Sequence, residues 1–401
     1  MRVALSGGGS AGHITPTLAV SDALRSRDKQ IELLYLGQAG SMEERIVRAK
    51  GLNFAVVRAG KFRREFFASR VAQVLNAGTL GPNARDAVRT VAGVGDALRV
   101  LRRFRPDAVF IKGGFVGVPV GIAARLLGIP YVVHESDVVP GLANKLLARW
   151  ATKIAVGFPV KHYRDWPADR LVQTGNPVRQ EILRAHRLEG LAKFHLRDDL
   201  PVVLVTGGSQ GSRQINDCLM AALPELLQFA QVIHVTGEGE YQRLQFEQRR
   251  QPKPEHTERY QAFAFLLAEM APALAAADII VGRAGVNSIV EAAVLGKPLV
   301  LIPNYEMAGH QVANAHLLSR AGAARVLGGR NLTPEKLVAE LRHLVDDPAE
   351  QARLSQAVRA FARPDAAAAL AELVWSVGEV RFIHRTKQKP NVEADSSEES
   401  A

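Results

Sequence analysis

Short apolar runs alternate with amphipathic stretches along most of this chain. In the first half, runs of strand length stand at Arg2–Leu5, Ile31–Leu36, Phe54–Arg58, Ala108–Lys112, Tyr131–His134 and Lys153–Val156. Between them, apolar positions recur with helical spacing over Thr15–Arg27, Met42–Lys50, Ala84–Phe104, Val118–Leu127 and Gly141–Trp150. Strands alternating with helices predict βαβ units and a parallel sheet. Near residues 170–180 the pattern restarts. A second opening strand, Val202–Val205, leads through Gly207-Gly208-Ser209-Gln210-Gly211 into a helix over Ser212–Phe229. Further strands follow at Gln231–Val235, Tyr260–Ala264, Asp278–Val281 and Pro298–Ile302, with helices at Ile289–Leu295 and Val312–Ala321. The expected architecture is α/β: two Rossmann-like parallel-sheet domains separated by a cleft. Residues 1–175 form the first domain, 176–383 the second, and 384–401 a disordered tail almost free of apolar residues. Ligands of open α/β sheets bind at the carboxyl ends of the strands, so both glycine loops are expected on one cleft.

Composition narrows this picture. At 401 residues the chain exceeds the size of a single core, and no apolar run reaches the ~18 residues of a membrane span. Its opening, Met1-Arg2-Val3-Ala4-Leu5, reads as a strand rather than a secretion signal, so a cytoplasmic protein is expected. Lys and Arg exceed Asp and Glu by 51 to 40, a net charge of +11 that favours acidic partners. Zinc-finger spacing, RNP-like aromatics and basic-zipper heptads are all missing, which argues against nucleic acid and leaves phosphorylated substrates or anionic membrane. The single cysteine, Cys218, excludes a disulfide framework and reads as a small buried hydrophobe in its helix.

The candidate chemistry lies in the loops. Gly7-Gly8-Gly9-Ser10-Ala11-Gly12-His13 stands between a strand and a helix. Glycines there let a phosphate approach the main chain, and the helix start offers free N–H donors. The loop fits a dinucleotide template, but no acidic residue ends the next strand, where Tyr35-Leu36-Gly37-Gln38 stands, and His13 points a titratable ring at the cleft. Gly113-Gly114 follows another strand, and Gly207–Ser212 repeats the first geometry with the Ser209 hydroxyl added. After strand Asp278–Val281, the turn Gly282-Arg283-Ala284-Gly285-Val286-Asn287-Ser288 opens a helix that carries Glu291. Spacing alone leaves Glu291 open between a helix-stabilising acid and an acceptor of sugar hydroxyls. Arg179, in Gly175-Asn176-Pro177-Val178-Arg179, is a fixed cation at the domain junction, and a polar loop with His310 and Gln311 precedes a late helix.

Taken in order, these motifs resemble the MurG family, the peptidoglycan N-acetylglucosaminyltransferases of the GT-B fold. The landmarks are Gly8–His13, Gly113-Gly114-Phe115-Val116, His134-Glu135 with Gly141–Lys145, Gly175–Arg179, Gly207–Gly211, Arg283-Ala284-Gly285 with Glu291, and His310-Gln311 with Asn314-Ala315. The resemblance covers the chain from Gly7 to about Val374. It implies a GT-B fold whose C-terminal helix returns to the first domain. It also implies transfer of N-acetylglucosamine (GlcNAc) from UDP-GlcNAc to the 4-hydroxyl of lipid I, the undecaprenyl-pyrophosphoryl muramyl pentapeptide, to give lipid II.

By the same resemblance, Leu266 pairs with the uracil beside Phe265, and Glu291 holds the ribose. Arg179, Ser209 and the amides of Val286, Asn287 and Ser288 bind the diphosphate, with Ile289 and Val290 beside them. His310 and Gln311 contact the GlcNAc. Ser10, Ala11, Gly12 and Asp137 complete the expected sugar-nucleotide site, and Gly113 and Gly114 receive the acceptor pyrophosphate. Two departures stand out. Asp137 occupies the place of a usual Asn, and Ala308-Gly309 precedes His310 where an Asp is often found.

His13 is the first candidate base, Asp137 the second and Glu135 a distant third. No Asp-x-Asp metal signature is present, and no cofactor is required by the sequence. The aromatic and basic run Phe62, Arg63, Arg64, Phe66 and Phe67 is read as a contact with anionic phospholipid, which puts the enzyme peripherally on the cytoplasmic face of the membrane.

Overall fold

The structure, a computed structural model, describes residues 1–8, 11–61, 77–208, 210–248, 254–305 and 309–387. Seven strands form the first sheet: β1 Arg2–Ser6, β2 Glu32–Gly37, β3 Asn53–Val56, β4 Ala108–Ile111, β5 Tyr131–Glu135, β6 Lys153–Val156 and β7 Leu171–Gln173. Six form the second: β8 Val202–Thr206, β9 Gln231–Val235, β10 Tyr260–Phe263, β11 Ile279–Gly282, β12 Leu299–Leu301 and β13 Arg325–Val326. The orders are β3-β2-β1-β4-β5-β6-β7 and β10-β9-β8-β11-β12-β13. The pairings β1–β2, β1–β4, β8–β9 and β8–β11, which set the centre of each sheet, are parallel. Every residue of β4, β5, β8 and β11 is buried, as their mostly apolar runs suit strands covered on both faces.

Strand order reverses between β1 and β4 in the first sheet and between β8 and β11 in the second. At such a switch point the connecting helices leave on opposite faces and open a crevice at the carboxyl ends of the strands. Each glycine loop singled out above follows one of these four strands, so the topology delivers all of them to two crevices.

The helix Ala366–Lys387 leaves the second domain and packs on the first, where Leu370, Ala371 and Val374 join Met1, Val3 and Leu5 in one core cluster. This helix corrects the expected tail, since residues 384–387 belong to it. Arg385 donates to both carboxylate oxygens of fully buried Asp107, at 2.9 and 2.8 Å, and the Arg2 amide donates to the same group at 2.8 Å. Residues 388–401 lie outside the described residues, as do Phe62, Arg63, Arg64, Phe66 and Phe67. Among the described residues no helix is long and apolar enough to cross a membrane.

Candidate functional site

The first crevice starts at Gly7-Gly8, after β1. The helix that follows spans Ala11–Arg27, four residues ahead of the expected start at Thr15, and encloses Pro16. Proline has no N–H, so the Gly12 carbonyl lacks its partner one turn on. That carbonyl instead receives Nδ2 of Asn287, from the second domain, at 3.4 Å. His13 lies in the first turn, half-buried, with Nδ1 enclosed and unbonded. Burial, and then the charge of Lys112, lower its pKa to about 4, so the ring is neutral at pH 7. Ser10 lies outside the described residues. Ala11 opens the helix, and Gly12 is exposed.

After β4 come Lys112, Gly113 and Gly114. Gly114 has φ +78°, and a side chain there would collide with the Gly8 carbonyl, so the two glycine loops touch backbone to backbone. Lys112 is 1% exposed, and its Nζ donates to Ser136 Oγ. Burial pushes its pKa down to about 8 against the opposing pull of Glu135 and Asp137. In the sequence Lys112 stands only as the end of the strand Ala108–Lys112. The signal available was a lysine closing an otherwise apolar, fully buried strand, where an ammonium is rare without partners.

Glu135, ending β5, is equally buried. It accepts from the amides of Asp137 and Gly141 and from Asn144 Nδ2, each at 2.9 Å. Three donors tie its carboxylate into the loop. Burial and the neighbouring Asp137 raise its pKa. Asp137 turns toward the other domain, and its Oδ1 accepts from Asn314 Nδ2 at 2.8 Å.

The second crevice is built differently. Gly207-Gly208 follow β8, and Ser212 Oγ caps the next helix by accepting from the Ile215 amide at 3.4 Å. Ser209 lies outside the described residues. The helix after β11 begins at Val286, not Ile289, with Gly285 as its cap. Val286, Asn287 and Ser288 therefore form its first turn and carry its unshared amides. The side chains of Ile289 and Val290 are buried in the core, and the Ile289 amide donates to the Gly285 carbonyl.

Glu291 follows on the same helix. Arg179 reaches it at 3.6 Å and donates to the Leu267 carbonyl at 3.0 Å, next to buried Leu266 and exposed Phe265. Burial raises the Glu291 pKa, while Arg179 opposes the shift. His310 and Gln311, expected in a loop, open the helix His310–Arg320. Gln311 Oε1 accepts from the Asn304 amide at 3.0 Å, and His310 Nδ1 meets the Val139 carbonyl at 2.8 Å. Gly309 caps this helix, and Ala308 lies outside the described residues.

The two crevices face each other. Asn287 to Gly12, His310 to Val139, and Asn314 to Asp137 and to the Val138 amide at 3.2 Å all cross the cleft. Asn314 is fully buried and also donates to the Ala284 carbonyl at 3.1 Å. Two helix starts, two glycine loops, a neutral histidine and an Arg–Glu pair thus converge between two parallel-sheet domains. That is the architecture of a glycosyltransferase handling a phosphorylated sugar donor.

Comparison with known proteins agrees. Residues 3–156 match the glycosyltransferase family 28 N-terminal domain and residues 202–370 its C-terminal domain. A Bacillus cereus protein named UDP-N-acetylglucosamine--N-acetylmuramyl-(pentapeptide) pyrophosphoryl-undecaprenol N-acetylglucosamine transferase 2 is 37% identical over 347 residues, 86% of this chain and 91% of its own. A Clostridium kluyveri transferase of the same designation, without the numeral, is 36% identical with the same coverage. The crystal structure of Acinetobacter baumannii MurG superposes with a TM-score of 0.68 at 25% identity, covering 94% of this chain and 99% of that one. The chain belongs to the MurG family. A UDP-GlcNAc 2-epimerase from Neisseria meningitidis, bound to UDP-GlcNAc, shares the fold at 13% identity with a TM-score of 0.63, covering 94% of this chain and 100% of that one.

Proposed function

We propose that this enzyme transfers GlcNAc from UDP-GlcNAc to the 4-hydroxyl of lipid I, forming lipid II for peptidoglycan synthesis. The observation that carries the reading is the meeting of two anion-receptive helix starts across the cleft, joined by Asn287 and Gly12, with neutral His13 in the first turn. The second domain takes the donor. Glu291 accepts from the ribose hydroxyls, and the Leu266 main chain meets the uracil. Arg179 and the amides of Val286, Asn287 and Ser288 meet the diphosphate, with Ser209 beside it. His310 and Gln311 border the GlcNAc. The first domain takes the acceptor pyrophosphate at Gly113 and Gly114, with Ser10, Ala11 and Gly12 on the border with the donor.

His13 withdraws the proton of the 4-hydroxyl as that oxygen attacks C1 of GlcNAc. The C1–O bond to UDP breaks on the opposite face, so the anomeric centre inverts. Charge gathers on the leaving diphosphate, where fixed donors favour the transition state over the ground state. An imidazole with a pKa of about 4 is unprotonated at neutral pH, and it accepts the proton only as the new bond forms. Asp137 is a weaker candidate for this role because its Oδ1 is bound to Asn314.

The acceptor is a lipid, so the enzyme works peripherally at the cytoplasmic face of the membrane. Phe62, Arg63, Arg64, Phe66 and Phe67 are the residues whose chemistry suits anionic phospholipid. The decisive assay supplies radiolabelled UDP-GlcNAc and a short-chain lipid I analogue, with a no-acceptor control. Acceptor-dependent label in lipid supports the reading. Conversion of UDP-GlcNAc without acceptor replaces it with an epimerase or hydrolase.

A further inference from the structure

Between the two glycine loops of the first domain lies a charged cluster that no step of the transfer uses directly. Lys112 is enclosed at 1% exposure, and its stem passes beside Gly7, where an added Cβ would stand 2.6 Å from its own Cβ. Its Nζ is bonded to Ser136, the residue between Glu135 and Asp137. Glu135 is locked by three donors and does not extend toward the second domain. Asp137 does, accepting from Asn314 Nδ2, and the adjacent Val138 amide donates to Asn314 Oδ1 at 3.2 Å. Buried Glu135 and half-buried Asp137, two positions apart, repel each other, and a cation beside them offsets that repulsion. Both pull on Lys112 electrostatically.

We infer that Lys112 is a positioning residue, the buried counter-charge that lets a carboxylate stand at position 137 and hold the cross-cleft bond to Asn314. An amide at that position carries no charge and needs no compensating cation. Lysine and aspartate therefore form a matched pair, because Glu135 has three donors of its own and leans less on the ammonium.

The test is a double-mutant cycle on the full chain with wild type, Lys112→Met, Asp137→Asn and the double variant. Each is assayed for transfer to the lipid I analogue, for UDP-GlcNAc binding without acceptor, and for thermal unfolding. Lys112→Met in the wild-type background is expected to lower kcat at least about tenfold. UDP-GlcNAc affinity should stay within about twofold, because the donor residues are untouched. In the Asp137→Asn background the same change is expected to cost little, so that the double variant matches Asp137→Asn alone. An equal loss in both backgrounds overturns the proposal, since the ammonium would then be acting on the acceptor phosphates directly. No loss in the wild-type background also overturns it. Should Lys112→Met fail to fold, the double variant decides, and its failure to fold and turn over sinks the pairing. The inference takes its assay from the proposed reaction, but the unfolding cycle does not. If no protein of the set, wild type included, transfers sugar, the functional reading falls while coupled melting temperatures still report on the pair.

Discussion

At the carboxyl edge of the first sheet the charged groups are enclosed. Lys112 and Glu135 are each under 5% exposed, and the His13 ring is neutral beside them. At the same edge of the second sheet the charges face the cleft. Arg179 and Glu291, with side chains 22% and 17% exposed, hold each other at 3.6 Å beside an open helix start. The same strand–glycine–helix unit thus serves two ends. The second domain presents an ion pair at the cleft, whose members the proposed function assigns to the donor's diphosphate and ribose. The first buries its charges in a fixed frame beside the neutral ring of His13, which the proposed mechanism uses as its base. The contrast follows from what each side must do. A soluble, dianionic donor has to be bound, whereas an acceptor delivered by a membrane has to be oriented.

The largest expected effect bears on the first domain. His13→Ala should lower kcat by about 10²–10⁴-fold, the usual contribution of a general base, with UDP-GlcNAc binding unchanged in a titration. A loss confined to donor affinity would move His13 to the donor side and erase the contrast. Next, Glu291→Ala should raise the KM for UDP-GlcNAc by about 10–100-fold, from the loss of charge-assisted bonds to the ribose and an unpaired Arg179. A selective loss of UDP-GlcNAc over a uridine diphosphate lacking ribose hydroxyls would sharpen the assignment. If acceptor KM moved instead, Glu291 would belong to the other half.

Arg385→Ala tests whether the first domain's frame depends on the returning helix. It leaves buried Asp107 with only the Arg2 amide, and a loss of about 2–3 kcal/mol in unfolding free energy is expected by denaturant titration. The smallest effect is in pH. The folded pKa of His13, about 4, lies below the ordinary value of 6.5, so the unfolded chain binds the extra proton between the two. The contribution of this group is complete above pH 6.5 and is lost as pH falls toward 4. The acid limb of kcat/KM should likewise lie near pH 4 rather than 6.5. A limb at 6.5 would mean that His13 is open to water in the working enzyme.

Much of the fold was legible in the chain. Lys153–Val156 and Gln231–Val235 are strands with the bounds their apolar runs suggest. The helix expected at Thr15 begins at Ala11, and the one expected at Ala84 begins at Ala77. Pro16 and Pro82 lie inside these helices, where a proline ordinarily marks a start, and for Pro16 the lost hydrogen bond is met by Asn287 from another domain. β7 and β13 carry three and two residues at sheet edges, too short for any periodicity to register. The expected helix Gly141–Trp150 shrinks to Leu142–Leu147.

What the sequence determined by itself was local. The glycine loops, the order of strand and helix, and the acids and cations near each loop follow from residue types at fixed short spacings, because backbone geometry and period act over a few residues. Which of those residues meet was decided only by tertiary structure. Lys112 finds Ser136 because β4 lies beside β5, and Arg385 finds Asp107 because the last helix crosses back to the first domain. Asn314 finds Asp137 because the second domain docks on the first across 177 residues of chain. A buried charge takes its pKa and its role from partners brought in by packing, and no spacing along the chain records which partners those will be.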